Sequence, residues 1–233
     1  HVINAEIAAN LTAIVVLSMA LTPLFATLFR RFAPKTQANL EGVDKAEGLS
    51  GSVLIIGFGR FGQVMSQSLL ARDVDVTIID NDIEMIRSAE EFGFKIYYGD
   101  GTRLDVLHAS GADSARAIAV CIDKRESASR IVELARQEFP QAKLLVRSFD
   151  REHSLALVAA GVDFQIRETF ESALAFGEEV LLGLGFDEDE TREAIEDVRE
   201  RDEQRVELEL VGGLEAGRVM LRGNLVTPAP EPF

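Results

Sequence analysis

A glycine-rich motif, Gly57-Phe58-Gly59-Arg60-Phe61-Gly62, is the clearest sign of chemistry in this sequence of 233 residues. Its three glycines suit a tight turn, close approach of the backbone to a diphosphate, and close packing of a helix on a strand. A helix that begins within the motif directs free N–H groups and a partial positive charge at such a phosphate. The motif therefore predicts a bound nucleotide, with a glycine turn that serves only packing as the alternative.

An acidic residue stands where the ribose of a nucleotide would need one. Asp80 closes the next apolar run, eighteen residues after Gly62, and a carboxylate at this distance accepts both ribose hydroxyls. Because the same carboxylate would repel a 2′-phosphate, we expect AMP or NAD(H) as the cofactor rather than NADP. The neighbouring Asn81 is included in the predicted site.

Two further apolar runs end in residues that suit a binding site. Ligands of parallel sheets bind outside the carboxyl ends of the strands, so these ends are expected to share one edge. The additional candidate nucleotide-binding residues are Gly99, Asp100, Gly101, Thr102, Cys121, Ile122 and Asp123. Asp100 is equally suited to capping the helix that starts near Leu104.

Composition argues against several other kinds of site. The formal net charge of −15 argues against nucleic acid as the main partner, because phosphate binding needs a positive field. One Cys excludes a disulfide framework within the chain, and three His residues leave little for zinc. We interpret Cys121 as a small buried hydrophobe and His108 and His153 as structural. No catalytic residue, no metal site and no enzyme activity are predicted.

The elements that must position these residues alternate along the chain. Strands are predicted at 52–56, 74–79, 95–98, 117–122, 143–147 and 164–166, and helices at 61–71, 84–91, 104–109, 126–138 and 151–160. The first two strands are nearly all apolar, as expected of a sheet buried on both faces. The pattern is typical of an α/β fold, a Rossmann-like doubly wound parallel sheet, here over residues 52–166.

The N-terminal segment has a different character. Residues 7–29 contain no charged side chain, and a helix of this length measures about 34 Å against a hydrocarbon core of roughly 30 Å. Basic residues follow directly, which predicts a transmembrane helix that ends a membrane domain near residue 31, with its C-terminal end toward the cytoplasm. A buried helix of a soluble core is the alternative. Residues 32–51 are predicted to be a linker.

The C-terminal part carries most of the negative charge. Residues 168–209 contain 16 acidic and 4 basic residues, which is −12 of the total −15. Helices are predicted over 169–184, where small residues permit close helix approach, and over 187–205, which starts with an acidic cluster suited to a helix N-terminus. We interpret 167–205 as a helical dimerisation or regulatory appendage and 206–233 as a tail.

The motifs together resemble one known family. GFGRFGQ, IIDND, YGDGTRLDVL, ASGA and RETFESAL, in this order, are similar to the nucleotide-binding regulatory domain of Kef-type glutathione-regulated potassium-efflux systems. Such KTN or RCK domains follow the last membrane helix of a cation:proton antiporter-2 protein. The resemblance implies a homodimer at the inner membrane, cytoplasmic after about residue 30, that binds AMP or NAD(H) and gates potassium efflux in exchange for protons. A soluble ancillary regulator is left open.

The resemblance transfers residue by residue. The nucleotide positions of the family are matched by Gly57, Gly59, Arg60, Gly62, Asp80, Gly99 and Asp100, whereas Ala128 stands where the family commonly has Asn. Arg167 resembles a glutathione contact, but Gln67 and Asp202 replace an Arg and an Asn. Losing a cation and gaining a carboxylate disfavours an anionic tripeptide. Arg167 therefore either binds a regulatory ligand or pairs with the acidic appendage.

Two other functions stay open from the sequence. Gating domains of potassium channels and of Trk-type uptake systems share the same nucleotide-binding fold, so the fold does not discriminate between them. An NAD-dependent oxidoreductase would need an acid–base group, and no His follows residue 166.

Overall fold

The computed structural model of the protein describes residues 4–32, 42–221 and 223. The chain divides into two compact units, His1–Asn39 and Leu40–Phe233. Residues 33–41 of the predicted linker, and residues 222 and 224–233 of the predicted tail, lie outside the described residues.

Helix α1, Ala5–Phe32, forms the first unit and continues past Pro23. Two of its hydroxyl groups donate to carbonyl oxygens of the preceding turn: Ser18 to Val15 at 2.9 Å, and Thr22 to Ser18 at 2.6 Å. No helix formed by the described residues has the length and apolar character that a membrane crossing requires. The transmembrane helix expected over residues 7–29 is therefore not shown among the described residues, and it stays a prediction.

A parallel sheet forms the centre of the second unit. Within the described residues its six strands are β1 Val53–Ile56, β2 Val76–Asp80, β3 Tyr97–Tyr98, β4 Ala117–Val120, β5 Lys143–Ser148 and β6 Phe164–Arg167. They lie in the order β3-β2-β1-β4-β5-β6, and every pairing is parallel. The predicted strands are confirmed, each within two residues of its observed bounds.

Helices connect the strands. They are α2 Arg60–Leu70, α3 Ile83–Glu91, α4 Leu104–Ala109, α5 Arg125–Glu138 and α6 Arg151–Ala159. Side-chain oxygens of Asp82 and Asp150 accept from the first-turn N–H groups of α3 and α6, which explains where these two helices begin. The doubly wound α/β fold is confirmed.

The sheet is buried on both faces because its central strands carry apolar side chains on alternate sides. In β1, Leu54 and Ile56 join a core with residues of α4 and α5, whereas Ile55 joins a core with residues of α3. All three side chains are buried. Strand β1 pairs with β2 on one side and with β4 on the other. Strands β2 and β3 thus lie on one side of β1, and β4 to β6 lie on the other. At this change in strand order a crevice opens beyond the carboxyl ends of β1 and β4.

The described part of the predicted linker adds to the edge of this sheet. The N–H of Tyr98 donates to the Asp44 carbonyl at 2.7 Å, and the N–H of Ala46 donates to the Tyr98 carbonyl at 3.1 Å. Val43 and Ala46 are buried. Residues 43–46 thus cover the edge strand β3, although their composition had suggested an irregular linker.

The appendage consists of helices α7 Glu168–Gly183 and α8 Glu188–Gly212, followed by a 3₁₀ helix, Leu214–Met220. A capping box starts α8: Asp187 accepts from the N–H of Glu190, and Glu190 accepts from the N–H of Asp187. The boundary predicted at residue 205 falls inside α8. That helix continues to Gly212 because the buried Glu209 on its last turns pairs with Arg151 and Arg205.

Candidate functional site

A cleft of about 360 Å³ lies at the carboxyl edge of the sheet, in the crevice between β1 and β4. The ends of β1, β2, β3 and β4 all contribute to it. Its lining residues are Ile56, Gly57, Gly59, Ile79, Asp80, Asn81, Asp82, Met85, Gly99, Asp100, Gly101, Thr102, Cys121, Ile122, Asp123, Lys124, Ser127 and Ile131. Eleven of the fifteen predicted nucleotide-site residues are among them, so the cleft brings together most of the predicted site.

The three glycines of the motif differ in the atoms that an added Cβ would meet. Gly57 has a φ of +96°, and a Cβ there would lie 2.7 Å from the Ile122 side chain. A Cβ on Gly62 would lie 2.2 Å from the Gly57 carbonyl oxygen, whereas one on Gly59 would meet no atom within 4 Å. Gly57 therefore forms the turn, Gly62 permits the helix to pack on it, and Gly59 leaves open space at the cleft.

Helix α2 begins at this open space. Its first hydrogen bond runs from the N–H of Gln63 to the carbonyl of Gly59 at 2.9 Å. The N–H groups of Arg60, Phe61 and Gly62 precede that bond and belong to the first turn, whose donors have no acceptor within their own helix. They supply hydrogen-bond donors and a partial positive charge suited to a phosphate.

Asp80 is held in a defined orientation at the end of β2. The N–H of Phe58 donates to its Oδ2 at 2.6 Å, and the N–H of Asp82 donates to its Oδ1 at 2.8 Å. Each carboxylate oxygen accepts more than one hydrogen bond, so both keep the capacity to accept from a ligand hydroxyl. Asp82 also lines the cleft while its side chain caps α3.

Asp100 faces the cleft from the loop after β3. Its Oδ1 accepts from the N–H of Thr102 at 3.0 Å and from the Thr102 hydroxyl at 2.7 Å. The cap position of α4 belongs to Arg103, whose side chain makes no capping hydrogen bond. The alternative in which Asp100 caps this helix is therefore wrong, because its carboxylate closes a turn onto Thr102 instead.

The end of β4 supplies the residues Cys121, Ile122 and Asp123. Burial raises the pKa of the Cys121 thiol to about 12, so this thiol stays protonated at neutral pH. The interpretation of Cys121 as a small buried side chain is confirmed. Asp123, at the outer end, forms an ion pair with Arg147.

Four predicted residues do not line the cleft. Phe58 is buried in the core against Phe94, with ring centroids 4.8 Å apart, and Arg60 is exposed. Phe61 and Gly62 lie in the first turn of α2. The cleft is also lined by residues that were not predicted: Ile56, Ile79, Asp82, Met85, Lys124, Ser127 and Ile131. Lys124 and Ser127 were detectable, since they start the helix that follows β4.

Arg167 lies away from this cleft, in a second cavity of about 390 Å³ between α7, α8 and the 3₁₀ helix. It forms an ion pair with Asp202, and its guanidinium carbon lies 4.3 Å from the centroid of the Phe170 ring. Arg151 donates to the other oxygen of Asp202 at 2.5 Å. Burial lowers the pKa of Arg167, and the Asp202 charge acts against that effect. Of the two predicted alternatives, the pairing of Arg167 with the acidic appendage is the one observed.

The two described histidines have structural surroundings. His153 is buried, its Nδ1 accepts from the N–H of Phe149 at 3.0 Å, and its Nε2 lies 3.3 Å from the Ser129 hydroxyl. His108 contacts Asp113 at 2.8 Å. Over the ranges 4–32 and 42–221, no group of three or more His, Cys, Asp or Glu side chains is arranged to hold a metal ion.

Residues 53–168 match the family model of the TrkA-N domain. A solved structure of the Kef C-terminal domain (CTD) from Shewanella denitrificans, in its AMP-bound form, is 34% identical to the chain, with a TM-score of 0.63. The match covers 68% of this chain and 97% of that one. The chain belongs to the Kef C-terminal domain family. The family inferred from the motifs is thereby confirmed.

Curated relatives of this Kef domain are named as efflux proteins. A glutathione-regulated potassium-efflux system protein of Haemophilus influenzae is 39% identical over 219 residues, which is 91% of this chain and 35% of the relative. The KefC protein of Salmonella arizonae is 36% identical over 206 residues, 88% of this chain and 33% of the relative. This Kef domain thus spans about a third of the length of these relatives.

A more distant likeness extends to a channel. The GsuK channel bound to NAD is 19% identical to the Kef domain, with a TM-score of 0.53, over 76% of this chain and 33% of that one. At this identity the comparison shows the shared fold alone.

Proposed function

We propose that the chain is the nucleotide-sensing regulatory region of a membrane potassium/proton antiporter and gates potassium efflux by binding AMP or NAD(H). The observation that carries the proposal is the convergence of the α2 N-terminus, the open space at Gly59 and the oriented Asp80 carboxylate on one cleft. The AMP-bound Kef domain and the names of the efflux relatives support the choice of ligand class and of transporter.

The residues of the cleft fit a nucleotide. The N–H groups at the start of α2 would hold a phosphate, since a Cβ on Gly59 would project into free space that a ligand can use instead. Asp80 would accept the ribose hydroxyls, and with Asp82 beside it the cleft disfavours a 2′-phosphate. Asp100 and Thr102 line the cleft from the loop after β3, where they would offer polar contacts to the adenosine part. The bound nucleotide supplies charge and shape for recognition, and no bond of it needs to break.

A homodimer would turn this binding into gating. Helix α7 and its C-terminal cap residue Leu184 expose an apolar row at four-residue spacing, formed by Phe176, Val180 and Leu184. The helix also packs on α8 within the chain. We infer that the exposed row contacts a second copy. A nucleotide that binds one arrangement of the paired domains more tightly shifts their equilibrium toward that arrangement.

The rest of the transporter would be the remaining two-thirds of a protein as long as the efflux relatives. We infer an inner-membrane, multi-pass domain there, with the nucleotide-binding sheet on its cytoplasmic side. Residues 43–46, which hydrogen-bond to the edge strand β3, would then connect the sheet to the preceding part of the chain. No catalysis is proposed, because the Cys121 thiol is buried and protonated.

Calorimetric titration of the chain with AMP, ADP, NAD, NADH and NADP tests the sensing function. We expect binding of at least one of the first four, and binding of NADP at least tenfold weaker than that of NAD. The absence of heat with every nucleotide would refute the sensing function. Potassium efflux from cells that carry the full-length transporter, measured with and without Asp80→Ala, tests the gating part.

A further inference from the structure

Arg147 connects the nucleotide cleft with the first residue of α7. From the end of β5, its Nη1 contacts the Asp123 carboxylate, and its Nη2 lies 2.5 Å from the Glu168 carboxylate. Asp123 lines the cleft, whereas Glu168 begins the appendage helix and is not part of the cleft lining. One guanidinium group therefore holds two carboxylates that belong to different parts of the domain.

The surroundings of Arg147 make this a defined contact. Its side chain is only 15% exposed, and its guanidinium carbon lies 5.5 Å from the ring centroid of Phe61, in the glycine motif. The planar guanidinium group has a fixed geometry, so its two nitrogens cannot follow two carboxylates independently. A displacement of Asp123 or Phe61 consequently changes the position of the guanidinium group relative to the Glu168 carboxylate.

We propose that Arg147 is the positioning residue through which occupancy of the cleft is coupled to helix α7. The proposal rests on the nucleotide-binding function proposed above. Asp123 and Glu168 compete for one cation, so a change of charge at the cleft redistributes the guanidinium between them. By reciprocity, a change at Glu168 alters the affinity of the cleft for an anionic ligand.

The first experiment measures AMP affinity in variants that leave the cleft lining intact. In Glu168→Gln, Asp123 is the remaining carboxylate that pairs with Arg147, which makes the cleft less negative. AMP should therefore bind about fivefold more tightly. In the Arg147→Met background the same substitution should change the AMP Kd less than twofold. Glu171→Gln is the matched control: it lies one turn further along α7, pairs with Arg199 at 2.8 Å, and should leave the Kd unchanged.

The second experiment needs no nucleotide. In Asp123→Asn, Arg147 can pair only with Glu168. Amide hydrogen exchange in the second turn of α7, where the N–H groups donate to the carbonyls of the first turn, should therefore slow at least threefold. This change should vanish in the Arg147→Met background. If Arg147→Met does not fold, Arg147→Lys replaces it, since Lys keeps the charge but lacks the two-pronged geometry, and the same loss of coupling is expected.

The outcomes separate the two proposals. Failure of AMP, ADP, NAD and NADH to bind the unmodified chain refutes the sensing function, while the exchange measurement still decides the coupling. An unchanged exchange rate in Asp123→Asn, or an equal change with and without Arg147, overturns the role of Arg147. An equal effect of Glu168→Gln and Glu171→Gln on AMP affinity overturns it as well, because it would reflect the lost charge alone.

Discussion

The main-chain N–H of Phe58 donates to the Asp80 carboxylate at 2.6 Å, so the glycine motif and the acidic end of β2 are joined before any ligand arrives. A second hydrogen bond, from the N–H of Asp82 at 2.8 Å, holds the other carboxylate oxygen. Asp80 is thus preorganised toward the cleft by two backbone donors. Little conformational freedom needs to be lost at this residue on binding.

Asp80→Ala should weaken AMP binding by at least tenfold, since it removes the acceptor for the ribose and releases the N–H of Phe58. Calorimetry measures the affinity. The control is Asp75→Ala, since Asp75 is an exposed acidic residue that directly precedes β2. This variant should bind AMP with the affinity of the unmodified chain. Retained affinity in Asp80→Ala would contradict the ribose role. Unchanged potassium efflux despite lost binding would separate the nucleotide from gating.

Gly59→Ala and Gly62→Ala should have opposite consequences. Gly59 has a φ of −66°, and a Cβ there would meet no protein atom within 4 Å. Gly59→Ala should therefore change the free energy of unfolding by less than about 0.5 kcal/mol, while it reduces AMP affinity because the Cβ occupies space at the cleft. A Cβ on Gly62 would lie 2.2 Å from the Gly57 carbonyl oxygen, so Ala should destabilise the fold by about 1–3 kcal/mol. Urea unfolding and calorimetry on both variants check this. Equal destabilisation by the two variants would contradict the assignment of their roles.

Glu209→Gln should strongly destabilise the chain. The Glu209 side chain is fully buried, and its two oxygens accept from Arg151 at 2.5 Å and from Arg205 at 2.7 Å. Its neutralisation removes the carboxylate that pairs with the poorly solvated Arg205 and leaves Arg151 with Asp202 alone, which costs about 3 kcal/mol. Urea unfolding measures the loss, and Glu207→Gln on an exposed turn of the same helix is the control. A loss below about 1 kcal/mol would mean that water replaces the carboxylate.

Phe176→Asp should convert a dimer into a monomer without lowering stability. Phe176 is 73% exposed on α7, in the row with Val180 and Leu184. A charge at this position would be buried without a partner in a dimer, yet solvated in a monomer. Sedimentation velocity shows the change. The control is Val64→Asp, since Val64 is a similarly exposed apolar residue on α2, and this variant should leave the dimer intact. Dissociation of the dimer in both variants would contradict a contact through α7.

The stability of the chain should fall as the pH drops below about 6.5. Burial lowers the pKa of His153 and Arg125 lowers it further, while Asp150 and Glu126 raise it to a smaller extent. The folded state keeps the imidazole neutral and accepts the N–H of Phe149, whereas the unfolded chain takes up a proton near pH 6.5. Urea unfolding at pH 7.5 and 5.5 measures the slope. His153→Gln should flatten it and His108→Gln should not; an equal slope in all three proteins would contradict this origin.

Local sequence was sufficient for the elements of the sheet and for the core of the site. Apolar runs such as the one that ends at Asp80 form strands because a sheet buried on both faces needs them, and the glycine spacing requires a tight turn before α2. These signals are carried by neighbouring residues, so no tertiary information was needed. The alternative roles of Asp100 and Arg167, in contrast, depended on partners that sequence does not reveal.

Long-range contacts were decided by the tertiary structure alone. Residues 206–211 alternate as a strand would, yet they continue α8 because Glu209 meets Arg151, 58 residues earlier in the chain. Arg147 meets Asp123 and Glu168 because β4, β5 and β6 lie side by side and end at the same edge. A side chain's charge is readable from sequence, but the countercharge that it pairs with depends on which elements the fold brings together.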